Sequence, residues 1–323
     1  MTTPDVRKVQ LPTDGIDRLS RSRGALLGLA CGDAIGSSVE FMARGTFPQV
    51  VDMVGGGPFH LLPGQFTDDT SMALCLAQSL LVAGFDLHDQ IRRYLMWRDH
   101  GYMSSNGKCF DIGLTTAAAL ERFSITGNPL AGSKSPQSAG NGSIMRLSPV
   151  LIRYQDCPAL ALTMAQESSK TTHQARECLG ACHLLGQVLL RALKSCSKAE
   201  MLEPMEIHAG YSQGLTRIAS AQYRRMARDQ VMSSGYVVET LEAALWCFWN
   251  TSSFPDCVLM AANLGDDSDT TAAVAGQIAG AHYGAEGIPP RWLKKLTMAD
   301  EIGLLAERLA HLPLSEEGRL NVT

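Results

Sequence analysis

The sequence predicts an all-α protein, a single compact orthogonal helical domain, on three observations. Apolar residues recur with helical period along nearly all of the 323 residues, while strand-like alternation is confined to 49–54 and 236–238, too short to build a sheet. Gly24, Gly28, Gly32 and Gly36 repeat every four residues, so on a helix they share one face and permit close approach of another helix or a ligand. Two aspartate-rich helix starts, Thr67-Asp68-Asp69-Thr70 and Gly265-Asp266-Asp267-Ser268-Asp269-Thr270, stand near opposite ends of the chain. No boundary rich in Pro or charge separates them, and to act together they must meet in one domain.

Taken in order, residues 1–20 lack sustained periodicity, contain two prolines and read as an extension outside the core, leaving 21–323 as the domain. The first helix is expected over 23–40. A Gly- and Pro-rich loop, 41–66, leads to a helix that opens at Asp68 and runs through the apolar stretch 72–82. Helices follow at 87–99 and 112–123, separated by a polar loop. A Gly/Ser/Pro loop ends in Gly140-Asn141-Gly142-Ser143, expected to open a helix at Ile144-Met145-Arg146. Periodicity then places helices at 159–167, 177–194, 206–228 and 239–249. The second aspartate motif heads a small-residue helix, 272–281, and a last helix, 298–312, follows Pro289-Pro290.

The chain is long enough to bury a sizeable core. A net charge of −4 gives no electrostatic case for nucleic acid or an anionic membrane as partner. Nine cysteines, an odd number without CxxC pairs, point to free thiols and a reducing compartment. Cys178 and Cys182, one turn apart and followed by His183, have the spacing of a metal pair, but on an apolar helix face they read as small buried residues. No run approaches the roughly 20 apolar residues of a membrane span, and no N-terminal apolar stretch resembles a signal peptide. A cytoplasmic location is expected.

An isolated Thr-Asp-Asp ahead of an apolar run is ordinarily an N-cap with an acidic first turn, since side-chain oxygens accept the free N–H groups there. Capping needs one acceptor or two; it does not need five aspartates at two helix starts. Packed side by side they repel strongly unless a cation neutralises them. Hard divalent cations favour this all-oxygen set of carboxylates and hydroxyls. The two stretches are therefore read as halves of one metal site.

The ordered set of motifs resembles the ADP-ribosylglycohydrolase family. It comprises Gly28-(x)3-Gly32-Asp33-(x)2-Gly36-(x)3-Glu40, then Thr67-Asp68-Asp69-Thr70, then Gly140-Asn141-Gly142-Ser143-Ile144-Met145-Arg146, then Thr172-His173, then Gly265-Asp266-Asp267-Ser268-Asp269-Thr270. The match spans about 23–285. It implies an all-helical fold with two Mg²⁺ or Mn²⁺ ions in a cleft, removing ADP-ribose from modified protein side chains.

Carried over position by position, the implied metal ligands are Thr67, Asp68, Asp69, Asp267, Asp269 and Thr270, with Asp266 an extra carboxylate read as a capping or supporting residue. Glu40 is the first candidate for the general base, and water activated with help from Asp68 or Asp69 is the competing mechanism. Gly140, Asn141, Gly142 and Ser143, read as opening a helix, offer free N–H groups to a pyrophosphate. His173 resembles a family histidine lining the cleft. Asp111, with Gly113 beside it, resembles the aspartate of the arginine-type members, and a carboxylate is the natural partner of a guanidinium. It tilts the substrate toward ADP-ribosyl-arginine over serine-linked ADP-ribose.

Two further readings follow from the resemblance. Lens crystallins of the family keep the fold with degraded metal motifs, and both motifs are intact here. Other members are immunity proteins that protect bacteria from ADP-ribosylating toxins by reversing the modification or by blocking the toxin. Residues 1–20 would then be an arm that binds the toxin; the plainer reading is a tail of no consequence.

Overall fold

A computed structural model describes residues 17–313. Residues 1–16, most of the N-terminal extension, lie outside the described residues, and the toxin-binding reading of that segment lies there with them. Residues 18–20 belong to the first helix, which starts five residues earlier than periodicity suggested. Asp17 caps it by accepting from Ser20 N at 2.6 Å.

Among the described residues there are fourteen α-helices and no strand, only isolated bridges. In chain order they are α1 Arg18–Gly36, α2 Asp68–Val82, α3 Leu87–His100, α4 Leu114–Thr126, α5 Ser148–Tyr154, α6 Pro158–Ser169 and α7 Arg176–Leu193. There follow α8 Lys198–Met201, α9 Gln213–Ala219, α10 Val237–Asn250, α11 Phe254–Ala262, α12 Ser268–Tyr283, α13 Pro290–Lys295 and α14 Ala299–His311.

The core is built on α1 and α12. The four-residue glycine repeat of α1 faces small residues of α12 in antiparallel register. A Cβ on Gly24 would lie 2.1 Å from the Gly280 carbonyl oxygen, on Gly28 2.3 Å from that of Gly276, on Gly32 2.1 Å from that of Ala272, and on Gly36 2.4 Å from that of Ser268. Backbones this close leave no room for any side chain between them. Every residue of α12 is buried, and α2, α10, α11 and α14 pack around the pair. Large side chains such as Trp97, Phe66, Phe248 and Trp292 fill the surrounding layers. The consequence for the site is direct: the register that seats Gly36 on Ser268 also fixes the start of α12 against the end of α1.

Two expected elements differ. The 206–228 helix is reduced to α9 and two 3₁₀ turns, because Ser212 caps a new start at Leu215 N and Ala221 turns left-handed at φ 54°. The helix expected at Ile144 begins only at Ser148, with Pro149 in its first turn. Residues 141–146 are turns, in which Ile144 N and Met145 N both donate to the Asn141 carbonyl.

Candidate functional site

Asp33 organises the site from the last turn of α1. Its Oδ1 accepts from the amide and hydroxyl of Thr67 at 2.8 and 2.9 Å, and its Oδ2 from the amide and hydroxyl of Thr70 at 3.0 and 2.6 Å. Thr67, which occupies the N-cap position of α2, makes no cap with its own side chain. The cap arrives from another helix. Asp68 and Asp69 are thereby released from the capping role and stand in the first turn, at the positive end of the helix dipole.

The two aspartate motifs meet here. Thr67 Oγ1 lies 3.2 Å from Asp269 Oδ2, and Thr270 Oγ1 donates to Asp69 Oδ1 at 3.2 Å. Ligand oxygens of Asp33, Asp69 and Asp269 lie within 4.8 Å of one another, as do those of Glu40, Asp111 and Asp269, so Asp269 belongs to both triplets. Asp267 completes the far wall, its Oδ2 accepting from Asn141 Nδ2 at 3.0 Å, while the same amide reaches Thr240 Oγ1 at 3.0 Å.

This much negative charge is poorly compensated. Burial, then the neighbouring carboxylates, hold Asp68, Asp69 and Asp269 well above the ordinary range. Burial raises Asp33 to about 6. Burial first, and Asp111 second, push Glu40 up to about 10; burial, then the Asp33 and Asp267 carboxylates, raise Asp111 to about 7. Among the described residues the ion pairs lie elsewhere, as in Arg93–Asp89 and Lys295–Asp52. Asp69 Oδ2, Asp269 Oδ1 and Glu40 Oε2 are buried without a hydrogen-bond partner. Orphaned carboxylate oxygens converging on one space fit hard divalent cations, which supply the missing charge and take oxygen ligands. Asp266 takes no part through its side chain, which is exposed. Its backbone, at φ 54°, accepts from Phe41 N at 2.8 Å and donates to the Met42 carbonyl at 2.9 Å, clamping the segment that carries Glu40.

The cluster floors a cleft of about 360 Å³ lined by Glu40, Phe41, Asp68, Asp111, Gly113, Asp267, Asp269 and Thr270, and also by Gly140, Asn141, Gly142, His173 and Gly235. The expectation that 140–143 supplies the free amides of a helix start is corrected. No helix starts there, and Asn141 N is already spent on the Gly235 carbonyl at 3.1 Å. Ser143 is buried behind the wall, within 3.5 Å of Cys182 Sγ. Cys178 and Cys182 are free, buried thiols, and burial raises both. His173 is buried and, through desolvation and the Arg146 guanidinium, pushed down to about 3, so its ring is neutral.

Sequence reasoning gave no separate role to Asp33, Arg146 or Gly235. A lone carboxylate in the small and apolar run 24–36 was the available signal for Asp33; Gly235 carried none.

The family model for ADP-ribosylglycohydrolase matches residues 14–318. The chain belongs to the ADP-ribosylglycohydrolase family. It is 44% identical over 302 residues to "ADP-ribosylarginine hydrolase Tri1" of Serratia proteamaculans, covering 93% of this chain and 82% of that protein. The Pseudomonas putida protein of the same name is 45% identical, covering 90% and 78%. "ADP-ribosyl-[dinitrogen reductase] glycohydrolase" of Rhodospirillum rubrum is 33% identical, covering 87% and 92%. Among solved structures, one titled "ADP-ribosylglycohydrolase-related protein complex" superposes with a TM-score of 0.81 at 42% identity, over 92% of this chain and 99% of that one. The membership accounts for a dense acidic cluster at the base of a cleft, as expected of metal-dependent hydrolases of this family. No helix among the described residues is long and apolar enough to cross a membrane.

Proposed function

We propose that this protein is an ADP-ribosylarginine hydrolase, a metal-dependent glycohydrolase that removes ADP-ribose from modified arginine side chains of proteins. The observation that carries the reading is the pair of carboxylate triplets joined at Asp269, with Asp111 at the open end of the second. In this reading Thr67, Asp68, Asp69, Asp267, Asp269 and Thr270 hold two divalent ions, Mg²⁺ or Mn²⁺. Held there, the ions would neutralise the cluster and supply positive charge to the oxygens of the distal ribose.

The chain's own residues do the rest. Asp111 stands at the cleft wall, with a carboxylate oxygen within 4.8 Å of those of Glu40 and Asp269. It receives the guanidinium of the modified arginine, a charge-assisted contact with no counterpart for a serine-linked substrate. Glu40, ionised once the cluster is neutralised, takes a proton from the water that attacks C1. The C1–N bond breaks with its electrons moving to the guanidine nitrogen, which leaves neutral and is protonated in solvent. His173 and the segment 140–142 bind the remainder of ADP-ribose.

The test is release of free ADP-ribose from arginine-modified and serine-modified protein, with Mg²⁺, with Mn²⁺ and with EDTA. Release from the arginine-linked substrate alone, abolished by EDTA, is expected; full activity in EDTA overturns the reading. Asp111→Ala should impair arginine-linked cleavage while sparing affinity for free ADP-ribose. Equal loss of both would make Asp111 a structural residue.

A further inference from the structure

Arg146 is 1% exposed and ties two parts of the cleft wall together. Its Nη1 donates to the Gly142 carbonyl at 2.6 Å, its Nη2 to Thr172 Oγ1 at 2.7 Å, and its guanidinium lies over the Tyr94 ring at 4.7 Å. Thr172 Oγ1 in turn lies 2.8 Å from His173 Nδ1. The protons can be assigned. An arginine only donates, so Thr172 Oγ1 accepts from it and has its own hydroxyl proton left to place. Nδ1 is the acceptor in reach. Were Nδ1 protonated instead, it would compete as a second donor to Oγ1 and strand a buried hydroxyl proton. The imidazole therefore carries its proton on Nε2.

That nitrogen faces the cleft. A Cβ on Gly142 would come within 2.6 Å of His173 Cε1 and 3.2 Å of Nε2, and one on Gly140 within 3.4 Å of Nε2. Gly142 thus makes room for the ring edge, and Gly140 lies in ordinary contact with it. Nε2 has no hydrogen-bond partner among the described residues, and His173 lines the cleft.

We infer that Arg146 and Thr172 are positioning residues that fix His173 as a neutral Nε2–H donor aimed at an oxygen of the bound ADP-ribosyl group. The acceptor is a pyrophosphate oxygen or a ribose hydroxyl, which share the chemistry of an oxygen lone pair. The pyrophosphate oxygen, which only accepts, is a poor partner for an unprotonated Nε2, whereas a ribose hydroxyl could instead donate to it. The relay makes the donor available without a charged imidazolium and independently of the carboxylate cluster.

The ligand half of the inference rests on the ADP-ribosylarginine hydrolase reading; the tautomer half does not, which keeps their failures apart. Long-range ¹H–¹⁵N spectra of histidine-labelled full-length protein, with the His173 signal assigned by His173→Gln, report which ring nitrogen is protonated. The expected result is an Nε2–H signature in the wild type, retained in Thr172→Ser and lost or mixed in the near-isosteric Thr172→Val. Titration calorimetry in Mg²⁺ with ADP-ribose and with ADP should show about tenfold weaker binding to Thr172→Val, restored in Thr172→Ser. Weakening for both ligands assigns the contact to the pyrophosphate, and for ADP-ribose alone to the distal ribose. An Nδ1–H signature in the wild type overturns the inference. So does Thr172→Val with a changed tautomer and unchanged affinity for both ligands. If no variant, wild type included, binds ADP-ribose while the Nε2–H signature stands, the functional reading fails and the relay survives.

Discussion

Asp33 of α1 holds the first turn of α2 through Thr70, accepting its amide at 3.0 Å and its hydroxyl at 2.6 Å. With the matching pair of bonds to Thr67, one buried side chain satisfies two of the amides that a helix start leaves free. The aspartates that follow are therefore presented to the cleft by a neighbour that does their capping for them.

Replacing Asp33 by Ala should cost about 2 kcal/mol, since both the Thr67 and Thr70 amides are then buried without acceptors. The loss should be larger in Mg²⁺ than in EDTA, because without cations the substitution also relieves repulsion within the cluster. Thermal unfolding under the two conditions checks this. An equal shift in both would mean that Asp33 caps without contributing to the charge balance.

Cation removal should destabilise the wild type. At divalent-ion concentrations a hundredfold above Kd, binding to the folded state alone adds about 2.7 kcal/mol. Asp269→Asn, at the junction of the two triplets, should abolish that response and remove hydrolase activity. In EDTA the variant should unfold at or above the wild-type temperature, because a buried carboxylate held well above its ordinary range has been neutralised. Differential scanning fluorimetry with and without Mg²⁺ decides.

Gly32→Ala should be among the most disruptive single-methyl changes in the chain. Its Cβ would sit 2.1 Å from the Ala272 carbonyl oxygen, backbone against backbone, so α1 and α12 must separate. The cost should reach about 3 kcal/mol, and the shift would carry the start of α12, with Asp269, away from Asp33. Gly210→Ala, with nothing within 4 Å of its Cβ, is the control and should stay within about 0.5 kcal/mol. Chemical denaturation of the two variants measures the difference.

His282 should impose acid sensitivity. It is 1% exposed, both ring nitrogens lack partners, and burial together with the Arg21 and Lys198 cations pushes it down to about 4 from 6.5. The unfolded chain therefore binds the proton more readily than the folded one. Stability is full above about pH 6.5, falls as the pH drops, and levels below about 4, a total on the order of 3 kcal/mol. Denaturation of wild type and His282→Gln across that range gives the contribution as a difference. Parallel curves would show that His282 does not titrate on unfolding.

The sequence by itself determined the helices whose period and caps are local. The α3 start, where Asp86 accepts from His88 N at 2.8 Å, and the long runs of α2 and α7 were legible for that reason. It also determined that two aspartate motifs had to converge, because their charge has no local purpose. The glycine repeat announced a close helix contact, since only missing side chains at i, i+4 spacing make one. What it left open was decided by partners distant in the chain. The cap of α2 comes from Asp33, and the clamp on Glu40 from Asp266; neither is signalled by neighbours in sequence. The 140–146 segment reads as a helix start, yet it is held as turns, with Asn141 bound to Gly235 and Gly142 to Arg146. There the Asn141 amide donates to a distant carbonyl and the Gly142 carbonyl accepts from the Arg146 side chain, which together hold the segment as turns. Local propensity fixes an element when its hydrogen bonds close within a turn or two; where they close across the fold, only the packing of α1 on α12 and its surroundings selects the conformation.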